Sequence, residues 1–250
     1  MILDKLKKEA LKSAKENDFK LQKVFVGDVF TYVSISNENQ NSIGVTLSPK
    51  KEDSLKKDFK SLEEILSDKN YNSLSRAITL AAINAIGQYE IKKRKIPLQD
   101  NLRDALYTLI MNNYKENDKI VFIGNLKPVI KKLKEHNKNI EVFCRAKVES
   151  KNGVYNDIFE YEAVSKADIV IITGATLIGS TIDALLKFTS KAKLVILSGF
   201  SAGANTLWLN NLGITHVASI SLENCLQDDL EKNDLELIFK NKCYIKELKN

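Results

Sequence analysis

Three short segments carry residue types suited to holding a small ligand: Gly124-Asn125, Thr173-Gly174-Ala175-Thr176 and Ser198-Gly199-Phe200-Ser201-Ala202-Gly203. Glycine lets a ligand approach the backbone closely. Threonine and serine hydroxyls both donate and accept hydrogen bonds. Each segment stands just before a stretch with helical character, and a helix N-terminus adds unpaired N–H groups and partial positive charge. Together these suit a carboxylate, a phosphate or another anion. The same residue types also cap helices, so Thr176 and Ser201 read equally well as N-caps.

Several specific chemistries are missing their signatures. Gly124-Asn125-Leu126-Lys127-Pro128 holds a single glycine, so the spacing of a dinucleotide-binding turn is absent. No Gly-Lys-Ser/Thr follows Gly174, which excludes a P-loop. The 198–203 segment resembles a nucleophile elbow in composition only. A nucleophilic Ser201 would need a histidine and an acid, and His216 on the next strand is the histidine at hand. The two histidines, His136 and His216, form no H-x-x-x-H pair. Cys144, Cys225 and Cys243 form no C-x-x-C pair and read as reduced, partly buried thiols. A transition or heavy metal would need ligands gathered from distant positions, with Cys144, Asp28 and Glu38 as candidates.

These loops need a scaffold. From residue 119 onward, apolar runs alternate with helical patterns. Strands are expected at 119–123, 140–144, 168–172, 194–197 and 215–220. Helices are expected at 126–136, 177–190, from the 198–203 segment through 212, and near 223–232. The third and fourth runs are apolar without alternation, as in strands covered on both faces of a parallel sheet. That predicts an α/β, doubly wound unit. Ligands in such sheets bind beyond the C-terminal strand ends, near the switch point, where all three segments fall.

The first part reads differently. The apolar spacing of residues 2–17 predicts a helix, and residues 21–47 an antiparallel meander with a turn at 37–42. Residues 50–60 read as a charged loop. Ser61 and Glu64 are placed as a capping box. Residues 73–87 form a helix with a broad apolar face, and Gly87 suits its C-terminal cap. A basic run, Lys92-Lys93-Arg94-Lys95, reads as a solvated linker. It divides the chain into a smaller α+β unit at 1–95 and the parallel-sheet unit at 96–250.

The chain has 250 residues, 44% hydrophobic, with net charge +6. That composition supports a real core. No apolar run reaches the roughly 18 residues of a membrane span. The charged amphipathic start is not a secretory signal, so a cytoplasmic location is expected. The positive charge is nearly all lysine, with Arg76, Arg94, Arg103 and Arg145 the only arginines. Arginine is the residue of bidentate phosphate and base recognition, so nucleic acid is not the expected partner. A metal ion or a small anionic ligand is, and self-association stays open.

Ala167-Asp168-Ile169-Val170-Ile171-Ile172-Thr173-Gly174-Ala175-Thr176-Leu177-Ile178-Gly179-Ser180-Thr181 resembles the signature of the putative heavy-metal chelation family. The resemblance implies a Rossmann-like C-terminal domain preceded by a domain similar to the enolase N-terminal domain. Residues 27–47 and the helix holding Ala81-Ala82-Ile83-Asn84-Ala85 are similar to that preceding domain. The chain departs from the family pattern at Gly179, where asparagine is usual, and at Ser198 to Ala202, where a Gly-Pro-Ser sequence is usual. The resemblance implies heavy-metal chelation or metal handling, including action on a metal chelate, in the cleft between the domains. The residue chemistry leaves a second reading open: an enzyme or binding protein for an anionic small molecule, nucleotide- or pterin-like, held by the strand-end loops.

Overall fold

The computed structural model describes residues 1–49, 58–69, 71–136, 138–145, 153–225, 227–232 and 234–249. The first helix, α1 (Ile2–Glu16), buries Ile2, Leu3, Leu6, Ala10 and Ala14, the stripe expected from spacing of three and four. Its first residue offers no side-chain cap. Instead the Ile2 N–H donates to Asp183 Oδ1 at 2.7 Å, which sets a carboxylate at the positive end of the helix. The strands β1 (Lys20–Val26), β2 (Phe30–Ser36) and β3 (Asn41–Leu47) form the expected antiparallel meander in that order. The charged loop anticipated at 50–60 lies mostly outside the described residues. In α2 (Leu62–Ser67) Ser61 Oγ accepts from the Glu64 N–H at 3.1 Å, the anticipated cap.

The helix α3 (Ser73–Lys93) is buried on nearly all sides over most of its length. A helix apolar all round belongs in an interior, and α3 runs between the small sheet and the rest of the molecule. It does not end at Gly87. A Cβ at Gly87 would stand 2.1 Å from the Gly203 carbonyl oxygen, so this glycine serves close packing, not capping. Lys92 and Lys93 belong to the last turn of α3, and Arg94 Nη2 donates to Asn205 Oδ1 at 2.7 Å. The basic run is therefore not a free linker.

The second part contains α4 (Leu102–Asn113), β4 (Ile120–Ile123), α5 (Lys127–Glu135), β5 (Ile140–Phe143), β6 (Val154–Tyr155) and α6 (Glu160–Ser165). It continues with β7 (Ile169–Thr173), α7 (Thr176–Gly179), α8 (Thr181–Leu185), β8 (Leu194–Ser198), β9 (His216–Ile220), α9 (Gln227–Glu231), α10 (Leu235–Phe239) and β10 (Cys243–Glu247). The sheet order is β10-β9-β8-β7-β4-β5-β6, parallel except for β10 against β9. The mixed α/β class, with a mostly parallel sheet and a separate small antiparallel sheet, is the one expected. Growth reverses direction between β4 and β7, which makes that pair the switch point.

Alternate residues of the central strands enter two cores. Val121, Ile123, Val170, Ile172, Val195 and Leu197 pack in one cluster with residues of α1, α2 and α3. Ile120, Phe122, Ile169, Ile171, Leu194 and Ile196 pack in the other with residues of α4 and α5.

Two expected helices are not continuous. The 177–190 stretch is α7, then Ser180 at φ 55°, then α8 and a 3-10 turn over Leu186–Phe188. The stretch through 212 is two 3-10 turns, Phe200–Ala202 and Thr206–Leu209, entered through Gly199 at φ 99°. Asn205 ends the first path and caps the second turn by accepting from the Leu207 N–H. Within 223–232 the described helix is α9 alone.

Candidate functional site

The small unit lies across part of the C-terminal edge of the parallel sheet. Ser201 Oγ accepts from the Leu47 N–H at 2.9 Å and from Thr46 Oγ1 at 3.2 Å. Asn84 Nδ2 donates to the carbonyls of Val45 at 2.8 Å and Ser201 at 3.2 Å. Gln88 donates to the Ile220 carbonyl at 3.1 Å and accepts from the Leu222 N–H at 2.8 Å. These bonds seat α3 and β3 over the ends of β8 and β9. Ser198, Gly199 and Ser201 are consequently buried, and Phe200 is half-buried. Ser201 spends its acceptor capacity on the small sheet.

The ends of β4 and β7 stay partly open. Gly124, Asn125, Thr173, Ala175 and Thr176 are half-buried there, and Gly174 is buried. Gly124 adopts φ 105°, and a Cβ on it would stand 2.5 Å from Thr173 Oγ1. The first two segments thus meet across the switch point. Gly174 locks the second to the third: its Cβ would stand 2.4 Å from the Ser201 carbonyl carbon. The Thr176 hydroxyl donates to the Thr173 carbonyl at 2.8 Å, so its proton is directed inward, and Ala175 occupies the N-cap position. The helix that follows, α7, has only four residues, too few aligned peptides to supply the expected N-terminal field. Thr173 and Asn125 have side chains with no hydrogen bond among the described residues, and they supply the open donors.

Five further side chains gather around Gly179-Ser180, at the end of the α7 that follows this loop. Arg76, from the first turns of α3, donates through Nη2 to Ser180 Oγ. Arg145, just past β5, donates through Nε to Asp157 Oδ2 at 2.6 Å. Its Nη1 lies 3.9 Å from where a Gly179 Cβ would be. Glu160, at the start of α6, is only 4% exposed. Burial pushes its carboxyl up from 4.5 to about 7; Asp157 adds to the rise and Arg145 opposes it. Sequence reasoning passed over these residues because no strand or helix was expected between 145 and 161 and Arg76 stood in the 73–87 helix outside any motif. The available signal was scarcity: two of the chain's few arginines end here.

The described residues do not fit a directly coordinated metal. Among them no three His, Cys, Asp or Glu side chains form a ligand cluster. Asp28 and Glu38 sit in the two turns of the small meander, whereas Cys144 follows β5 in the other sheet. Burial pushes the Cys225 and Cys243 thiols up to about 11, which disfavours the thiolate that binds metal. His136 packs against Tyr107, with ring centroids 5.8 Å apart. Ser201 and His216 form no pair: Ser201 Oγ is bonded to Thr46 and Leu47, whereas His216, beside Ile196, has its Nδ1 3.0 Å from Thr215 Oγ1. Two grooves lie elsewhere among the described residues. One of about 370 Å³ is lined by Phe143, Tyr155 and Phe159 among others, and one of about 160 Å³ by Cys225 and Asn241 among others.

Residues 8–87 and 108–227 each match a family profile described as putative heavy-metal chelation. An uncharacterised protein of Methanocaldococcus jannaschii is 33% identical over 232 residues, spanning 89% of this chain and 87% of that protein. A crystal structure of a DUF364-family protein of unknown function from Pyrococcus horikoshii superposes with TM-score 0.84 at 26% identity, covering 99% of this chain and 100% of that one. A second DUF364-family structure, from Desulfitobacterium hafniense, superposes with TM-score 0.75 at 17% identity, covering 96% and 98%, and speaks for the fold. With both profiles matched in order and the relative aligned nearly end to end, the chain belongs to the putative heavy-metal chelation family.

Proposed function

We propose that the protein handles metal in chelated form, holding an anionic chelator at the ends of β4 and β7 beside α3. One observation carries this reading. The small unit covers the ends of β8 and β9 and leaves the switch-point mouth half-open, with the Thr173 and Asn125 side chains unbonded among the described residues and two arginines at the end of the following α7. The family description supplies the metal, and the two guanidinium groups supply the form: they carry donors only and a positive charge, which attracts an anion and repels a bare cation, while the hydroxyl and amide groups add neutral donors. On this reading Gly124, Asn125, Thr173, Gly174, Ala175 and Thr176 form the ligand surface. Ser198, Gly199, Phe200 and Ser201 support it from beneath the small unit. The second reading, an anionic metabolite without metal, uses the same free donors.

Equilibrium dialysis with metal analysis separates them. Zinc chloride, zinc citrate and citrate alone are offered to the full chain at micromolar protein. Zinc retained only in the citrate arm supports the proposal. Stoichiometric retention of zinc without citrate overturns it. Retention of citrate with no dependence on zinc moves the assignment to the second reading.

A further inference from the structure

Two guanidinium groups from distant parts of the chain converge on consecutive residues. Arg76 Nη2 bonds to Ser180 Oγ, and Arg145 Nη1 reaches the open side of Gly179. Neighbouring Cα atoms lie about 3.8 Å apart, so both forks approach one peptide unit. That unit is the break between α7 and α8, where Ser180 adopts φ 55°, a left-handed conformation costly for a residue with a side chain. Gly179 is exposed and brings no side chain between the two forks.

Neither guanidinium is fully used. Arg76 is half-buried and has no carboxylate in ion-pair range among the described residues. A partly desolvated cation without an anion is unfavourable, and a bound anion removes that cost. Arg145 spends Nε on Asp157, and its two terminal nitrogens make no hydrogen bond among the described residues. A single carboxylate satisfies one such fork, so two forks call for two anionic groups on one molecule. Asp157 offsets one of the two positive charges, and burial pushes the Glu160 carboxyl up to about 7, so near neutral pH it carries only part of a charge and the pair of guanidiniums stays net positive.

We infer that Arg76 and Arg145 form a two-armed clamp for a small di- or tricarboxylate, seated over Gly179 and Ser180 at the switch-point mouth. The inference rests on reading that mouth as the ligand site and names the ligand class it takes.

Calorimetric titrations with acetate, succinate and citrate test it on the full chain. The wild type is expected to bind citrate and succinate at least tenfold more tightly than acetate. Arg76→Gln and Arg145→Gln are each expected to weaken citrate at least tenfold. Arg145 is 70% exposed, so its variant should fold as the wild type does, and Arg76→Lys keeps the charge while losing the fork. Equal affinity for acetate and citrate overturns the clamp. So does an Arg145→Gln protein that binds citrate within twofold of wild type. If Thr173→Val weakens citrate while both arginine variants do not, the clamp fails and the mouth stands. If no anion binds at millimolar concentration, both readings fall together.

Discussion

Glu160 is the residue whose environment makes the clearest solution prediction. Its carboxyl titrates near 7 in the fold because burial disfavours its charged form, whereas in an unfolded chain it titrates near 4.5. Between those values the unfolded chain releases a proton that the folded one keeps. The folded state therefore loses stability as pH rises from about 4.5 to about 7, and the loss is complete above 7. Removing the charge with Glu160→Gln should leave stability unchanged at pH 4 and raise it at pH 8 by up to about 3 kcal/mol. Urea melts at the two pH values check this, and equal gains at both would refute the burial argument. Ser201→Ala is a second test at this scale. It leaves the buried Thr46 hydroxyl, and with it the Leu47 N–H, without their shared acceptor and should cost about 1–3 kcal/mol.

At the scale of elements, the packing of α3 decides what the site can be. Gly44 and Gly87 let the helix approach β3 on one side and the 203–205 backbone on the other. A Cβ on Gly44 would meet the Ala85 nitrogen at 2.0 Å, and one on Gly87 the Gly203 oxygen at 2.1 Å. Backbone atoms cannot yield as a flexible side chain can. Gly87→Ala should destabilise by about 3 kcal/mol, lowering the melting temperature by roughly 6–12 °C. A variant melting within 2 °C of wild type would show that α3 is not seated so closely. The strands at 168–172 and 194–197 were legible because both of their faces are apolar, and so were α1 and the Ser61 cap. The α7–α8 break was not. Its residues have ordinary helical character, and the turn at Ser180 coincides with the bond from Arg76, a residue more than a hundred positions away. Elements α4, α6, α10, β6 and β10 were not anticipated either; most are short, and β10 pairs at the sheet edge.

At the scale of the whole molecule, the proposed division at 95 marks a change of architecture without a change of core. Residues of α1, α2 and α3 share one apolar cluster with Val121, Val170 and Val195 of the parallel sheet. Separating them would expose both halves of that cluster to water. Fragments 1–95 and 96–250 expressed separately should each aggregate or melt without cooperativity, and should co-purify when expressed together. A fragment 96–250 with a sharp thermal transition of its own would show an independent domain. No described helix is long and apolar enough to cross a membrane, in keeping with the absence of an apolar run of that length.

The sequence by itself determined the strand–helix alternation, the parallel sheet and the three loops at its C-terminal edge, because periodicity and unbroken apolar runs report how a segment is buried. It did not determine which neighbour does the burying. Only the tertiary structure decided that α3 closes the Ser198 loop and leaves Gly124 and Thr173 at an open mouth. It also brought Arg76 and Arg145 to the adjacent residues Gly179 and Ser180. Such convergence is set by the docking of separate elements, and no local pattern of residues encodes it.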